Sequence, residues 1–409
     1  MIKIKTANIY LIMLLLTILP YNTNILFFNN YSIHPDILIN CVRAFLIIYV
    51  LSYVKNINLT HSEKKTIKNI SIYFIFILII NVISTSINGN LNLITLLRRS
   101  FSIGYMYIFY VYFIYNFKNI KSFFKIFILV VSFLLILSYF VYIFFPSIGV
   151  LYEGWDSYAF LGVANNRNSL FELLFPLIVS IYYLYYEKLK LKNIFIILFV
   201  ILAIFLTKSI TSIFTMCIFF VLLLINRIIK NNRNIAKNAL IVCLIIWILY
   251  FIVVLFNVDI GLISSVFANK STTFSGRTLI WQKAINFIKE KPIIGYGYDN
   301  EIIGNSKNYM QLYNLSFPND THNGVLYLLL SSGIIGFVTY MFLFVKSLKC
   351  GLNIISLDKK YFYLFAYLIS NLIRGITESC FHYTHMFVFI IYIIFTIKYY
   401  DFVKKEDLI

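Results

Sequence analysis

Apolar stretches long enough to cross a lipid bilayer recur along this chain from one end to the other. A helix of about 20 apolar residues spans the hydrocarbon core of a membrane. About twelve such stretches occur, near residues 7–28, 36–54, 70–88, 99–117, 123–145, 169–186, 193–208, 209–226, 239–258, 323–345, 361–380 and 383–399. The mean hydropathy of +0.84 and the 12% share of charged residues exclude a water-soluble protein. The sequence therefore predicts an all-α polytopic integral membrane protein in which residues 1–409 form a single membrane domain.

The basic residues lie in alternate loops between these apolar stretches. The net charge of +19 could serve nucleic-acid binding, but that function needs a contiguous basic stripe. Lysine and arginine are instead concentrated in alternate loops, near residues 55–68, 118–125, 188–192, 227–237, 346–360 and 404–405. Basic loops are retained on the cytoplasmic side, so both termini are predicted to be cytoplasmic, and segments 146–168 and 259–321 external. We expect the lipid membrane as a partner and no nucleic acid.

The large external loop, residues 259–321, contains one helical pattern. On a helical wheel of residues 278–290 the apolar side chains share one arc, namely Ile280, Trp281, Ala284, Ile285, Phe287 and Ile288. The other arc is polar and contains Gln282, Lys283, Asn286, Lys289 and Glu290. This pattern predicts an interfacial amphipathic helix with Ser275 as its N-cap.

Arg277 lies in the first turn of that helix and projects from its apolar side. One interpretation is that its guanidinium binds a diphosphate at the interface, because planar, permanently charged donors suit phosphate oxygens. The alternatives are snorkelling to lipid headgroups or an ion pair with Glu290 or Asp299.

A histidine follows near the start of the next predicted span. Asn319, Asp320 and Thr321 are candidate N-caps for a helix that begins near His322. The positive end of a helix dipole disfavours an imidazolium there. A neutral His322 could therefore accept a proton from a sugar hydroxyl. The alternative is a histidine that only caps the helix by hydrogen bonding.

Three short sequence blocks carry a resemblance to a known family. They are Ser-Gly-Arg-Thr-Leu-Ile-Trp at 275–281, Pro-Ile-Ile-Gly-Tyr-Gly at 292–297 and His-Asn-Gly at 322–324, followed by Ser-Gly-Ile-Ile-Gly at 332–336. Their order, spacing and external placement resemble the O-antigen ligase and polymerase superfamily, which handles polyprenyl-linked sugars.

The resemblance implies roles for single residues. In that family the arginine of the first block and the histidine of the third are held to act on the diphosphate and on the acceptor. They correspond here to Arg277 and His322, the predicted catalytic residues. The blocks also supply four predicted substrate-binding residues: Trp281, Gly295, Gly297 and Asn323. The two glycines give a turn at which backbone can approach a ligand.

Two upstream stretches extend the resemblance to about residues 160–345. Residues 162–168 look like the Asn-(Lys/Arg)-Asn entry of the same family, which makes Arg167 and Asn168 predicted substrate-binding residues. Arg167 could share a phosphate with Arg277, or anchor lipid headgroups. In the stretch 206–212, family members often carry a basic residue after the serine. This chain has Ile210 there, which leaves open whether Lys208, a predicted substrate-binding residue, takes over that role.

Several other ionisable residues have structural explanations. Arg374 and Glu378 are four residues apart, so they are expected to form an ion pair on one helix. His382 and His385 lie close to Glu378, but a metal site needs three or four convergent ligands. We predict no metal site and no cofactor.

The resemblance implies a C-type glycosyltransferase-like helical bundle. Such a protein would be a metal-independent enzyme that polymerises undecaprenyl-diphosphate-linked oligosaccharide repeat units into capsular polysaccharide or O-antigen. Its site would face outward from the bacterial cytoplasmic membrane, and a flippase and a chain-length regulator would be partners. The alternatives are an O-antigen ligase that transfers polymer to lipid A-core, a non-enzymatic flippase or exporter of lipid-linked oligosaccharide, and a scaffold.

Overall fold

A computed structural model of the chain describes residues 6–18, 35–54, 57–87, 93–153, 156–164, 166–229, 232–255, 277–297 and 321–406. The first helices are α1 (Thr6–Ile18), α2 (Pro35–Val54), α3 (His61–Ile87), α4 (Leu93–Tyr115) and α5 (Ile120–Phe144), the last preceded by a 3-10 turn at Phe117–Asn119. A short helix α6 (Pro146–Gly149) then leads into an antiparallel ribbon of β1 (Val150–Glu153) and β2 (Asp156–Phe160). The remaining helices are α7 (Arg167–Tyr185), α8 (Leu191–Leu206), α9 (Ile210–Ile229), α10 (Asn232–Leu255), α11 (Arg277–Glu290), α12 (Gly324–Ile354), α13 (Lys360–Arg374) and α14 (Met386–Glu406).

The helices confirm the predicted all-α polytopic membrane fold. Within the described residues, seven segments are long and apolar enough to cross a membrane: His61–Ser84, Phe117–Phe144, Arg167–Tyr185, Ile210–Ile229, Asn232–Tyr250, Gly324–Ile354 and Met386–Val403. Three shorter apolar helices accompany them, at Thr6–Ile18, Ile39–Val54 and Leu191–Leu206. The total of twelve spans stays a prediction. The β1–β2 ribbon, in the segment predicted to be external, was not predicted.

The core of the bundle is aromatic, and its outer surface is aliphatic and aromatic as well. Phe109, Tyr110, Phe123 and other large rings are fully buried, whereas apolar side chains such as Phe133 on α5 are exposed. A water-soluble protein would bury most of that outer surface, but a bilayer solvates it. α13 packs against α7, α9 and α10, and α12 packs against α3 and α14. The turn after α13 therefore lies among several helices.

Helix α12 is broken at Gly333, and the segment 291–297 hydrogen-bonds to backbone groups that the break leaves free. Gly333 has φ 60° and ψ −165°, a conformation that only glycine adopts readily. The amide of Tyr296 donates to the Leu330 carbonyl at 2.8 Å, and the amide of Ile334 donates to the Pro292 carbonyl at 2.8 Å. Backbone groups freed inside a membrane need partners from the protein. The break thus fixes where the segment that follows α11 lies.

The predicted amphipathic helix is present as α11. Ile280, Trp281 and Ala284 are buried, as their arc predicts. Lys283, which the wheel assigned to the polar arc, is also buried, and burial lowers the pKa of its ammonium group. The buried face of α11 therefore includes a residue of the predicted polar arc. The N-cap predicted at Ser275, and most of the external loop 259–321, lie outside the described residues.

Candidate active site

Glu378 lies in a turn that the sequence did not predict. The predicted span at 361–380 would carry Arg374 and Glu378 on one helical face, but α13 ends at Arg374 and the chain turns before α14. Arg374 Nη2 pairs with Glu172 Oε1 at 3.2 Å instead. The expected pairing of Arg374 with Glu378 is wrong because those two residues are not on the same helix.

The carboxylate of Glu378 contacts residues of α7, α9 and α11 and of the segment before α12. Its Oε1 accepts from Arg277 Nη2 at 3.2 Å and from Thr211 Oγ1 at 3.2 Å. Its Oε2 accepts from Asn168 Nδ2 at 3.0 Å and lies 3.8 Å from His322 Nδ1. Two residues predicted to be catalytic and one predicted to bind substrate thus meet at a single buried side chain.

The electrostatics favour an ionised Glu378. The residue lies in the turn between α13 and α14, outside the membrane-spanning helices. Burial raises the pKa of its carboxyl, but the interaction with His322 and the positive charges of Arg277 and Arg374 lower it further, so that the net pKa lies below the ordinary value. The site therefore contains a carboxylate with cationic partners rather than a neutral acid.

Arg277 is held at two points and stays accessible. Its Nη1 donates to the Thr377 carbonyl at 2.8 Å and its Nη2 to Glu378, while 20% of its side chain is exposed. The ion-pair alternative predicted Glu290 or Asp299 as partner; the partner is Glu378, and Asp299 lies outside the described residues. A guanidinium has five N–H donors, so these two contacts leave Arg277 the capacity to bind an anion.

His322 precedes helix α12 rather than starting it. The N-cap is Asn323, whose Oδ1 accepts from the amides of Val325 and Leu326 at 3.0 and 2.9 Å. Of the predicted caps, Thr321 hydrogen-bonds the Asn323 carbonyl instead, and Asn319 and Asp320 lie outside the described residues. His322 has φ +47°, which is strained for a residue other than glycine. Its side chain is 22% exposed, as a proton acceptor requires.

Trp281 and Asn323 hold the strained backbone around His322. The indole Nε1 of Trp281 donates to the Thr321 carbonyl at 3.0 Å, one residue before His322. The amide Nδ2 of Asn323 donates to the Tyr250 hydroxyl and to the Ile376 carbonyl, each at 2.9 Å. Both side chains are buried. The structure thus shows them supporting the His322 turn, and their binding of substrate stays a prediction.

The start of α7 adjoins the turn between α8 and α9. Ser209 Oγ donates to Asn168 Oδ1 at 2.9 Å, which links both segments to Glu378. Arg167 is the first residue of α7, and Lys208 is exposed in the α8–α9 turn with φ +53°. Both cations lie within one residue of a side chain of this network. Their contact with substrate stays a prediction.

Gly295, in the second block, has a packing role. Gly295 and Gly297 have φ 65° and 85°. A Cβ built on Gly295 would lie 2.6 Å from the Leu330 carbonyl oxygen, so only glycine lets the chain approach α12 this closely. Substrate binding by either glycine stays a prediction.

Glu378, Thr211 and Ser209 are members of the site that sequence analysis missed. A signal for Glu378 was present, because an acidic residue in a stretch predicted to span the membrane is costly unless it has a function or a partner. Within the described part of the chain, no group of three or more His, Cys, Asp or Glu residues could hold a metal ion. The arrangement offers an arginine for an anionic group, an imidazole for a proton, and a carboxylate between them.

Comparison with known families supports the predicted resemblance. Residues 195–341 match a family model described as O-antigen ligase. This segment is an O-antigen ligase family domain. The domain runs from α8 into α12 and contains Arg277 and His322, whereas Arg167 and Glu378 lie outside the match. No curated protein matched the chain.

The match confirms the predicted superfamily. The O-antigen ligase family domain indicates an O-antigen ligase or polymerase type of function, a glycosyltransferase-like activity and a lipid-linked polysaccharide substrate. The apolar helices make the chain a multi-pass membrane protein. The match is compatible with a polymerase and with a ligase.

Proposed function

We propose that this protein polymerises undecaprenyl-diphosphate-linked oligosaccharide repeat units into capsular polysaccharide or O-antigen on the outer face of the cytoplasmic membrane. The observation that carries the proposal is that Arg277 and His322, 45 positions apart in the sequence, approach opposite oxygens of Glu378. An arginine suits a diphosphate and an imidazole suits a hydroxyl proton. The O-antigen ligase family match supports the same chemistry.

The reaction joins two lipid-linked saccharides. A hydroxyl oxygen of the incoming unit attacks C1 of the sugar that is attached to the donor diphosphate, and His322 accepts the hydroxyl proton. The bond between C1 and the diphosphate oxygen breaks, and undecaprenyl diphosphate leaves with the electron pair. Arg277, with Arg167 and Lys208, stabilises the charge on that leaving group. In this scheme the protein's own cations act without a metal.

A ligase is the second candidate, because the matched family model is described as O-antigen ligase. It would use the same donor and the same residues but transfer finished polymer to lipid A-core. A flippase is less well supported, because transport needs a polar path through the bundle. The predicted spans carry few charges in their cytoplasmic halves.

Glycan length tests the proposal in cells whose only copy of the protein is His322→Ala or Arg277→Ala. Wild-type cells should produce a ladder or high-mass polymer on a gel, and both variants, at normal membrane abundance, only a single repeat unit on its carrier. Long polymer that does not reach its final acceptor would indicate the ligase. Unchanged, correctly attached polymer would contradict both catalytic assignments.

A further inference from the structure

We infer that Glu378 is a positioning residue for glycosyl transfer, which holds Arg277 with one carboxylate oxygen and orients and stabilises protonated His322 with the other. This inference rests on the proposed function, and it concerns a residue outside the segment that matches the O-antigen ligase family. The resemblance assigned no role to Glu378, and its neighbours in sequence suggested only an ion pair with Arg374.

The two oxygens of the Glu378 carboxylate face different predicted catalytic residues. Oε1 lies 3.2 Å from Arg277 Nη2, and Oε2 lies 3.8 Å from His322 Nδ1. The second distance is longer than a hydrogen bond but short enough for an ion pair once His322 is protonated. Because Nδ1 faces the carboxylate, the acceptor hydroxyl approaches the Nε2 side of the ring. A carboxylate on one ring nitrogen orients the imidazole and stabilises the imidazolium that forms.

Glu378 is itself held in place. Asn168 Nδ2 donates to Oε2 at 3.0 Å and Thr211 Oγ1 donates to Oε1 at 3.2 Å, so each oxygen has a neutral donor from a different helix. Asn168 is oriented in turn by Ser209 Oγ at 2.9 Å. The Glu378 amide donates to the Arg374 carbonyl at 3.0 Å, which fixes the turn. A side chain supported on this many sides is suited to position others.

Three charged or titratable groups lie near Glu378: two belong to the predicted catalytic residues, and the third has another carboxylate as its partner. The charged or titratable groups that act on it are Arg277 from α11, His322 from the segment before α12, and Arg374 from α13. Arg374 has its own carboxylate partner, Glu172, whose Oε2 also lies 3.7 Å from His385 Nδ1. Glu172 therefore forms a second carboxylate centre next to the first, and it offers a matched control.

The test uses purified protein in proteoliposomes and the lipid-linked oligosaccharide that accumulates in source cells lacking this protein. We expect Glu378→Gln, which keeps the shape but removes the charge, to lower the initial rate by on the order of 100-fold. Glu172→Gln removes a carboxylate with an equal 3.2 Å ion pair and should keep the wild-type rate.

Glu378→Asp provides the second variant, should the glutamine variant not accumulate. It keeps the charge but is one methylene shorter, so we expect a rate about tenfold below that of the wild type and above that of Glu378→Gln. A wild-type rate for folded Glu378→Gln, an equal loss of rate in Glu172→Gln, or a wild-type rate for Glu378→Asp would overturn the inference. Wild-type protein that does not elongate this substrate would instead overturn the proposed function, and the inference with it.

Discussion

Arg277 contributes a positive charge and a planar set of donors with fixed geometry. Replacement by lysine keeps the charge but removes that geometry. Lysine keeps the charge but cannot donate in a fork to the Thr377 carbonyl and Glu378, which Arg277 contacts at 2.8 and 3.2 Å. We expect Arg277→Lys to lower the rate of polymer formation by on the order of 100-fold, and Arg277→Ala by more. The measurement is polymer formed per amount of protein in isolated membranes.

Lys289→Ala is the matched control, since it removes an exposed cation from the last turn of the same helix. It should retain the wild-type rate. Wild-type polymer from Arg277→Lys would contradict the assigned role, and would favour a scaffold in which the arginine serves only as a membrane anchor.

Among single residues, the sequence identified side chains that come together but not the side chain at which they meet. Arg277, His322 and Asn168 were identified from residue type and resemblance, and all three meet at Glu378. Glu378 was not identified as their partner because that role depends on the end of α13 at Arg374. A helical spacing of four residues predicts a neighbour only while the helix continues. Long-range contacts of this kind cannot be read from local spacing.

Among the elements, the break in α12 predicts that a side chain at residue 333 destabilises the protein. A Cβ on Gly333 would lie 2.2 Å from the Ile293 carbonyl oxygen, and the residue has φ +60°. Gly333→Ala should therefore destabilise the protein by more than about 2 kcal/mol, from the strained backbone and the overlap combined. The expected result is a lower thermal unfolding temperature in detergent and less protein in the membrane.

Gly104→Ala is the control for this substitution. Gly104 lies inside α4, and a Cβ there would meet no atom within 4 Å. Because alanine is the better helix former by about 1 kcal/mol, we expect an unfolding temperature equal to or above that of the wild type. Equal unfolding temperatures for the two variants would contradict the account of the break.

The elements that the sequence predicted well are those with a strong local period. Residues 278–290 predicted an amphipathic helix, and α11 spans Arg277–Glu290. The start of α12 was placed near His322, but Asn323 caps the helix, and its side chain is fixed by Tyr250 and Ile376, far away in sequence. The β1–β2 ribbon gave no recognised signal because each strand has only four or five residues.

For the whole molecule, the distribution of basic residues predicts which loops face outward. In a variant without its five native cysteines, Lys289→Cys should react with a membrane-impermeant maleimide added to intact cells, since residue 289 is exposed on α11. Lys188→Cys, exposed in a loop predicted to be cytoplasmic, should react only after the membrane is permeabilised. The reverse pattern of labelling would place the site on the cytoplasmic face and contradict the proposed topology.

The central claim is that one membrane protein joins lipid-linked repeat units with Arg277 and His322. The most direct measurement is reconstitution of purified protein with a single lipid-linked repeat unit as both donor and acceptor, followed by mass spectrometry of glycan and carrier. We predict that wild-type protein forms a ladder and releases one undecaprenyl diphosphate for each new linkage, and that folded His322→Ala and Arg277→Ala form neither product. A ladder undiminished in folded His322→Ala, or no elongation by the wild-type protein, would contradict the account.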